Sequence, residues 1–276
     1  MIGSPPPTAT ESPRHGIPVL QVDGLSRSFG GVYAVSGVSM SVGEGELRGV
    51  IGPNGAGKST LFNLISGHLA PERGVITYRG RRIDRLSPHE RARLGVSIVF
   101  QSARLFYGMT VLENVMVGAH VWSRHGFLEA ALRLPRHRRE EREIRRRAEE
   151  AIDRVGLGGW ASTPAESLPL GQQRSLQVAR ALCGAPRLLL LDEPASGLRA
   201  GEKESFAELL RALKGEGLTM MLVEHDVGFV SSLADEATVL ALGKLIAEGR
   251  TDEVLRDPAV VAAYIGTDTS KEADDA

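Results

Sequence analysis

One glycine-rich segment constrains the fold of this 276-residue chain more than any other stretch. It fits the pattern G-x-x-x-x-G-K-[ST], follows the apolar residues 47–51 and precedes an apolar-periodic run. Its residues are Gly52, Pro53, Asn54, Gly55, Ala56, Gly57, Lys58, Ser59 and Thr60. Backbone N–H groups, the start of a helix and Lys58 would converge there on phosphate, and Ser59 would offer its hydroxyl to magnesium. The segment predicts a cradle for a nucleoside triphosphate, because a simple turn that caps a helix would not explain the lysine and the hydroxyl at this spacing.

The composition is that of an ordinary globular protein, with 42% hydrophobic residues and a formal net charge of -1. A charge this small creates no global field that would recruit nucleic acid or an anionic membrane, so any such contact must be local. The single cysteine, Cys183, cannot form an internal disulfide and lies in an apolar helical pattern. We expect it to be a buried structural thiol in a reducing compartment.

The N-terminal residues 1–16 contain four prolines and small polar residues, without the basic start and apolar centre of a signal peptide. We predict a disordered tail there. No apolar run approaches the ~20 residues that span a bilayer, so we expect the chain not to cross a membrane by itself.

Residues 19–42 alternate between apolar and polar side chains, with a break at Gly30-Gly31. This pattern predicts two antiparallel strands of a small β-layer. Residues 75–78 predict an edge strand, and Ser87 with Glu90 three positions later predicts a helix start. Phe29, near the end of the first strand, is either a core residue or a ring that stacks on a nucleotide base.

The apolar residues 95–100 predict a strand that ends at Gln101. A glutamine in this position is usually an ordinary loop residue. Its carboxamide would reach metal and water if the strand lay beside the phosphate loop.

From Thr110 to Leu182 the periodicity is helical, which suggests a helical subdomain inserted into an α/β core. Within it, residues 133–150 hold eight arginines and five glutamates at spacings that allow i,i+4 pairs. This pattern is typical of a solvated helix face, and the alternative is a surface for a partner or for anionic lipid headgroups. Nucleic acid is disfavoured, because the glutamates offset the positive charge and no aromatic residues are interleaved for stacking.

Two carboxylates follow the continuous apolar run Leu188–Leu191, at the carboxyl edge where open α/β sheets bind ligands. Asp192 would hold magnesium through water, and Glu193 would orient or deprotonate an attacking water. The alternative is a pair of acids that simply begins a turn before Pro194.

A further polar residue, His225, follows the apolar strand 218–223. It is either a capping or core residue, or it hydrogen-bonds the terminal phosphate and positions the attacking group. The segment 167–174 enters a helix and forms a second potential anion site.

Together these motifs resemble the ATP-binding subunit of an ABC transporter, from about Val19 to Gly266. The resemblance implies an α/β fold: a P-loop NTPase core with a mainly parallel sheet, an N-terminal antiparallel β-layer and an inserted α-helical subdomain. It implies one domain over 17–266, with its core at 17–101 and 183–266, its helical subdomain at 102–182, and tails at 1–16 and 267–276.

The resemblance also implies roles for individual residues around ATP and Mg²⁺. Lys58, Gln101, Glu193 and His225 would be catalytic, and Phe29 would stack on adenine beside the phosphate loop. Ser59, Gln101 and Asp192 would hold the metal. The signature residues Leu168, Leu170, Gly171 and Gln172 would act in trans, on the nucleotide of a partner subunit.

Within that family the chain is most similar to the larger ATPase subunit of branched-chain amino acid importers. The residues that carry this resemblance lie in segments 100–106, 109–115 and 257–266. It implies a peripheral protein at the cytoplasmic face of the inner membrane, paired with a second ABC ATPase subunit, in a heterodimer or alternatively a homodimer. Two membrane permease subunits and, indirectly, an extracytoplasmic solute-binding protein would complete the assembly, without nucleic acid.

Two departures from the family pattern affect the composite site. The general signature is L-S-G-G-Q, whereas this chain has Leu168-Pro169-Leu170-Gly171-Gln172 and so lacks the serine hydroxyl. Arg199 stands where the family commonly has aspartate. We expect weakened or asymmetric use of one of the two ATP sites.

Other functions stay open at this point. The cargo could be an amide, another amino acid or an exported lipid. A soluble ABC ATPase that works on translation or DNA typically has two cassettes in one chain or a long coiled coil, and this chain shows neither pattern. A GTPase would carry an N-K-x-D motif downstream, which is absent from the sequence.

Overall fold

The computed structural model describes residues 18–101, 105–121 and 135–268. In these residues ten strands form two sheets. The strands are β1 Leu20–Phe29, β2 Val32–Val42, β3 Leu47–Ile51, β4 Arg73–Tyr78, β5 Arg81–Arg82, β6 Val96–Val99, β7 Leu188–Asp192, β8 Thr219–Val223, β9 Glu236–Ala241 and β10 Lys244–Arg250. The predicted tail 1–16 lies outside the described residues.

The α-helices of the same residues alternate with these strands or lie between β6 and β7. They are α1 Lys58–Ser66, α2 Pro88–Arg93, α3 Val111–Met116, α4 Pro135–Arg154, α5 Leu170–Cys183, α6 Ala200–Gly215, α7 Val227–Ser231, α8 Thr251–Val254 and α9 Pro258–Asp268. Helix α9 extends to residue 268, and the rest of the predicted C-terminal tail lies outside the described residues.

The larger sheet has six strands in the order β10-β9-β3-β8-β7-β6. All neighbours are parallel except the β9–β10 hairpin. Every residue of β3, β7 and β8 is buried, as expected for parallel strands covered on both faces. Because parallel strands end at one edge, the segments that follow β3, β6, β7 and β8 meet there. The predicted α/β fold with a mainly parallel sheet is confirmed.

The smaller sheet is antiparallel, in the order β2-β1-β4-β5. The predicted hairpin is present, with Phe29 opposite Val32 across its turn. The prediction that residues 75–78 form an edge strand was wrong, because β4 lies between β1 and the two-residue strand β5. The helix start at Ser87 is confirmed by a capping box with Glu90.

Alternate residues of β7 face two separate hydrophobic clusters. Leu189 and Leu191 pack with the helices α3 to α7, whereas Leu188 and Leu190 pack with α1 and the antiparallel sheet. The central strands therefore hold the two halves of the molecule together through burial on both faces. Cys183 belongs to the first cluster, and burial raises the pKa of its thiol to about 11, as expected for a structural thiol.

The arginine-rich segment forms most of α4. Its ion pairs include Arg145–Glu149, Arg146–Glu143, Arg146–Glu150 and Arg147–Glu143. These side chains are exposed, so solvent screens each pair and leaves it little net effect on stability. The pairing fits a solvated helix face. The helices α3, α4 and α5 lie between β6 and β7 in the chain, and the domain boundaries proposed for them stay a prediction.

Candidate nucleotide site

The phosphate loop follows β3 and requires glycine at two positions. Gly52 has φ +149° and Gly57 has φ +101°. A Cβ atom at Gly52 would lie 2.1 Å from the carbonyl oxygen of Leu240, and one at Gly57 would lie 2.1 Å from that of Ala34. Neither site has room for a side chain, so the loop can hold this shape only with glycine.

Lys58 begins α1 and is buried within the loop. Its Nζ donates to the carbonyl oxygens of Gly52, at 2.7 Å, and of Pro53, at 3.0 Å. Burial lowers the pKa of Lys58, and the nearby carboxylates of Glu193 and Asp192 oppose that shift. The loop thus holds a positive charge at its centre with hydrogen bonds that a phosphate can replace.

Ser59 and Asp192 come together although they lie far apart in the sequence. The Ser59 hydroxyl donates to Oδ1 of Asp192 at 3.2 Å. Burial raises the pKa of Asp192, and this hydrogen bond opposes the shift. A hydroxyl and a carboxylate are the hard oxygen ligands that Mg²⁺ prefers when substrate phosphates supply others, so these two residues fit the metal.

Glu193 follows Asp192 where the chain leaves the sheet. Its φ of +47° is in the left-handed region, a strained position for a residue with a side chain. Its N–H donates to the carbonyl oxygen of Val223 at 2.9 Å, which holds the turn against β8. This turn allows both adjacent carboxylates to reach one edge of the sheet.

Gln101 reaches Glu193 although its strand does not lie beside the phosphate loop. Strand β6 lies at the edge of the sheet, separated from β3 by β7 and β8, so the condition stated for its reach to metal and water is not met by strand order. The Nε2 of Gln101 nevertheless donates to Oε2 of Glu193 at 2.7 Å. The contact exists because Glu193 follows β7, which is the direct neighbour of β6.

The side chain of His225 is 58% exposed. Its Nδ1 is 4.0 Å from Oε2 of Glu193 and 3.8 Å from Oε2 of Glu224. Gln101 and His225 therefore both approach Oε2 of Glu193. Glu224 was given no role in the sequence analysis, because its burial depends on distant residues.

Phe29 is 47% exposed, so it is not a core residue. The guanidinium of Arg27 lies 5.1 Å from the centre of its ring. The β1–β2 hairpin that carries Phe29 also provides Ala34, whose carbonyl oxygen lies against Gly57 of the phosphate loop. The exposed part of the Phe29 ring is therefore free to contact a ligand.

The segment 168–172 leads into helix α5. Helix α5 begins at Leu170 after Pro169, which offers no capping side chain. The N–H of Gly171 donates to Oε1 of Glu202, at 3.2 Å, on the neighbouring helix α6. Leu168 is buried, whereas Leu170 is 40% exposed. The start of α5 is therefore held against α6.

Two family models match the chain. One, described as ABC transporter, matches residues 35–196, and the other, described as branched-chain amino acid ATP-binding cassette transporter, matches residues 244–269. The chain belongs to the ABC transporter family. As an ABC ATPase it binds and hydrolyses ATP.

Curated relatives match this ABC ATPase over nearly their full length. The high-affinity branched-chain amino acid transport ATP-binding protein BraF of Pseudomonas aeruginosa is 40% identical over 90% of this chain and 98% of its own. The corresponding protein LivG of Escherichia coli is 38% identical with the same coverage.

Solved ABC cassettes share its fold. The ADP conformation of one ATP-binding cassette is 31% identical, with a TM-score of 0.80 over 91% of this chain and all of that one. A nucleotide-free cassette is 30% identical, with a TM-score of 0.79 over 90% of this chain and 99% of that one. No helix in the described part of this ABC ATPase is long and apolar enough to cross a membrane.

A second residue that the sequence analysis missed links three segments of this ABC ATPase. Arg174 of the signature helix donates from Nη1 to the carbonyl oxygen of Gln101, at 3.1 Å, and from Nη2 to that of Ser196, at 3.2 Å. The arginine was visible in the sequence, but its two partners lie 73 and 22 residues away. It ties the signature to the strand end that carries Gln101 and to the loop after Glu193.

Proposed function

We propose that this ABC ATPase energises the import of branched-chain amino acids. The observation that carries the proposal is the agreement between the match at residues 244–269 and relatives named for branched-chain amino acid transport, which cover almost the whole chain. A different cargo, such as an amide or another amino acid, would require other membrane and binding-protein subunits, since those choose the solute.

The proposed catalytic roles follow the contacts around the phosphate loop. Lys58 neutralises phosphate charge, Glu193 activates water, and Gln101 and His225 sense the terminal phosphate beside Glu193. Their support is the network of short contacts that joins Gln101 to Glu193 and brings His225 within 4.0 Å of it.

Mg²⁺ would be held by Ser59 and Asp192, with Gln101 nearby. When bound, the ion would neutralise charge on the phosphate oxygens. The fit rests on the Ser59–Asp192 contact of 3.2 Å. Oxygen ligands from two residues suffice, because Mg²⁺ is usually bound by one or two carboxylates together with substrate phosphates.

The ATP site would be completed by a second ABC ATPase subunit, in a heterodimer. In this proposal the signature residues Leu168, Leu170, Gly171 and Gln172 act on the nucleotide of the partner. Binding of ATP would close the dimer, and hydrolysis would reopen it.

The membrane permease subunits would dock on a loop next to Gln101. Its side chains Phe106, Tyr107 and Met109 are exposed, Tyr107 by 76%. The fully buried Asn114 holds this loop through hydrogen bonds with the backbone of Phe106 and Met109. Exposed apolar side chains that follow Gln101 by a few positions in the sequence suit a contact that transmits nucleotide state to the membrane at its cytoplasmic face.

The deciding experiment purifies the chain with its membrane subunits, reconstitutes them in vesicles and measures ATPase activity with each candidate solute and its binding protein. We expect leucine, isoleucine and valine to stimulate hydrolysis, and glutamine to leave it at the basal rate. If only another solute stimulates hydrolysis, that solute is the cargo instead of the branched-chain amino acids. If no membrane subunit co-purifies with the chain, the transporter assignment is overturned.

A further inference from the structure

Glu224 is a buried carboxylate at the edge of the nucleotide site that the proposed roles leave unused. It follows β8 directly, is 1% exposed and precedes His225 in the chain. A buried carboxylate is costly unless its charge is compensated, so its two oxygens need partners.

The two oxygens of Glu224 face different parts of the site. Oε1 accepts a hydrogen bond from the N–H of Ala195, at 2.8 Å, in the loop after Glu193. Oε2 lies 3.8 Å from Nδ1 of His225. Burial raises the pKa of Glu224, while the N–H of Ala195 and the charge of His225 oppose the shift. A glutamine at position 224 would still accept the hydrogen bond from Ala195. The negative charge of Glu224 therefore acts on His225 rather than on Ala195.

The other charged groups around Glu224 already have partners of their own. Lys203 donates to Asp226 at 2.6 Å, and Arg174 donates to two loop carbonyl oxygens. Lys58 lies within the phosphate loop and donates to its carbonyl oxygens. The remaining carboxylate, Glu193, lies 4.0 Å from the same Nδ1 atom. Nδ1 of His225 thus faces two carboxylates.

We propose that Glu224 is a positioning residue that orients the imidazole of His225, keeping a proton on Nδ1 and leaving Nε2 for the terminal phosphate of ATP. The inference rests on the proposed role of His225 at that phosphate. An imidazole that donates from both nitrogens is positively charged, and a carboxylate buried beside it stabilises that charge more strongly than an exposed one. Glu224 also holds Ala195, so one side chain aligns the loop after Glu193 with the ring of His225.

Glu224→Gln tests the charge without removing the acceptor for Ala195. We expect kcat for ATP in the assembled transporter to fall about tenfold, a size typical of losing a carboxylate that orients a histidine, with the KM for ATP unchanged. Glu46→Gln is the control, because Glu46 is also a buried carboxylate that accepts from a backbone N–H, that of Gly43 at 2.6 Å, and from a charged side chain, that of Arg48, immediately before β3. It should keep wild-type kcat.

A double-mutant cycle with His225→Ala separates orientation from a merely structural role. If Glu224 acts through His225, Glu224→Gln should cause no further loss of kcat in the His225→Ala background. Losses that multiply, or a wild-type kcat for Glu224→Gln, would overturn the inference. If His225→Ala itself hydrolyses ATP at the wild-type rate, the proposed role of His225 fails first.

A measurement on the unmodified full chain does not depend on the folding of any variant at Glu224. Nitrogen-15 NMR of histidine-labelled protein, with His225 assigned by the signal missing in His225→Ala, reports which ring nitrogens carry protons. We expect a proton on Nδ1, with or without a second one on Nε2. A ring protonated at Nε2 alone would contradict the inference and leave the transporter assignment intact.

Discussion

The phosphate-loop side and the signature side of this ABC ATPase differ in how complete they are. On the phosphate-loop side, Ser59 contacts Asp192 and Gln101 contacts Glu193 within 3.2 Å. On the signature side, Pro169 stands in place of the serine hydroxyl, and the Gly171 N–H is held by Glu202 of the same chain. Under the proposed function, this chain would supply a full nucleotide-binding half and a reduced signature to its partner.

Removing the charge of the phosphate loop should have the largest effect. We expect Lys58→Ala to lower ATP turnover at least about a thousandfold, because no other cation lies within the loop to replace it at the phosphates. The measurement is steady-state ATPase activity of the assembled transporter. Lys244→Ala, at an exposed position that begins β10, should retain normal activity. Substantial ATP turnover in Lys58→Ala would contradict the proposed role of Lys58 in neutralising the charge of the phosphates.

Removing the carboxylate of Glu193 should separate hydrolysis from binding. We expect Glu193→Gln to slow turnover about a hundredfold while ATP still binds, so that an ATP-bound dimer accumulates. Gel filtration with and without ATP and Mg²⁺ measures the dimer, and the exposed residue Glu208 provides the control Glu208→Gln. Wild-type hydrolysis in Glu193→Gln would require another general base.

Phe29, on the phosphate-loop side, should contribute less to ATP binding than Lys58 or Glu193 contribute to turnover. Phe29→Ala removes a stacking surface worth about 1 kcal/mol, so we expect the KM for ATP to rise about fivefold with little change in kcat. Tyr33→Ala, on the same hairpin and 49% exposed, is the control and should leave KM unchanged. Equal KM values for Phe29→Ala and wild type would place adenine elsewhere.

Restoring the serine of the signature should have the smallest effect, and it should strengthen ATP-dependent dimer formation rather than weaken function. Pro169→Ser restores a hydroxyl at the start of α5, and one hydrogen bond of about 1 kcal/mol would strengthen ATP-dependent dimer formation roughly threefold to fivefold. Pro164→Ser, a proline that precedes a short 3₁₀ helix in the same loop, controls for the loss of proline itself. No gain in Pro169→Ser would show that the missing serine does not limit the partner's site.

Sequence spacing predicted the contacts that depend on neighbouring residues. The glycines of the loop 52–60, the capping box at Ser87 and the strand that delivers Asp192 and Glu193 are local patterns, and the structure has each element there. Such patterns are reliable because steric limits on φ and hydrogen bonds over three or four residues act within the segment itself.

The sequence by itself determined the chemistry available to this protein: a phosphate loop, two carboxylates after a buried strand, and an altered signature. Only the tertiary structure decided which distant groups meet, since strand order brings Gln101 to Glu193 from the edge of the sheet, and helix packing brings Arg174 to Ser196. It also buried Glu224 between Ala195 and His225. Burial and long-range hydrogen bonds depend on how elements pack, and that information is spread over the whole chain rather than held in any one motif.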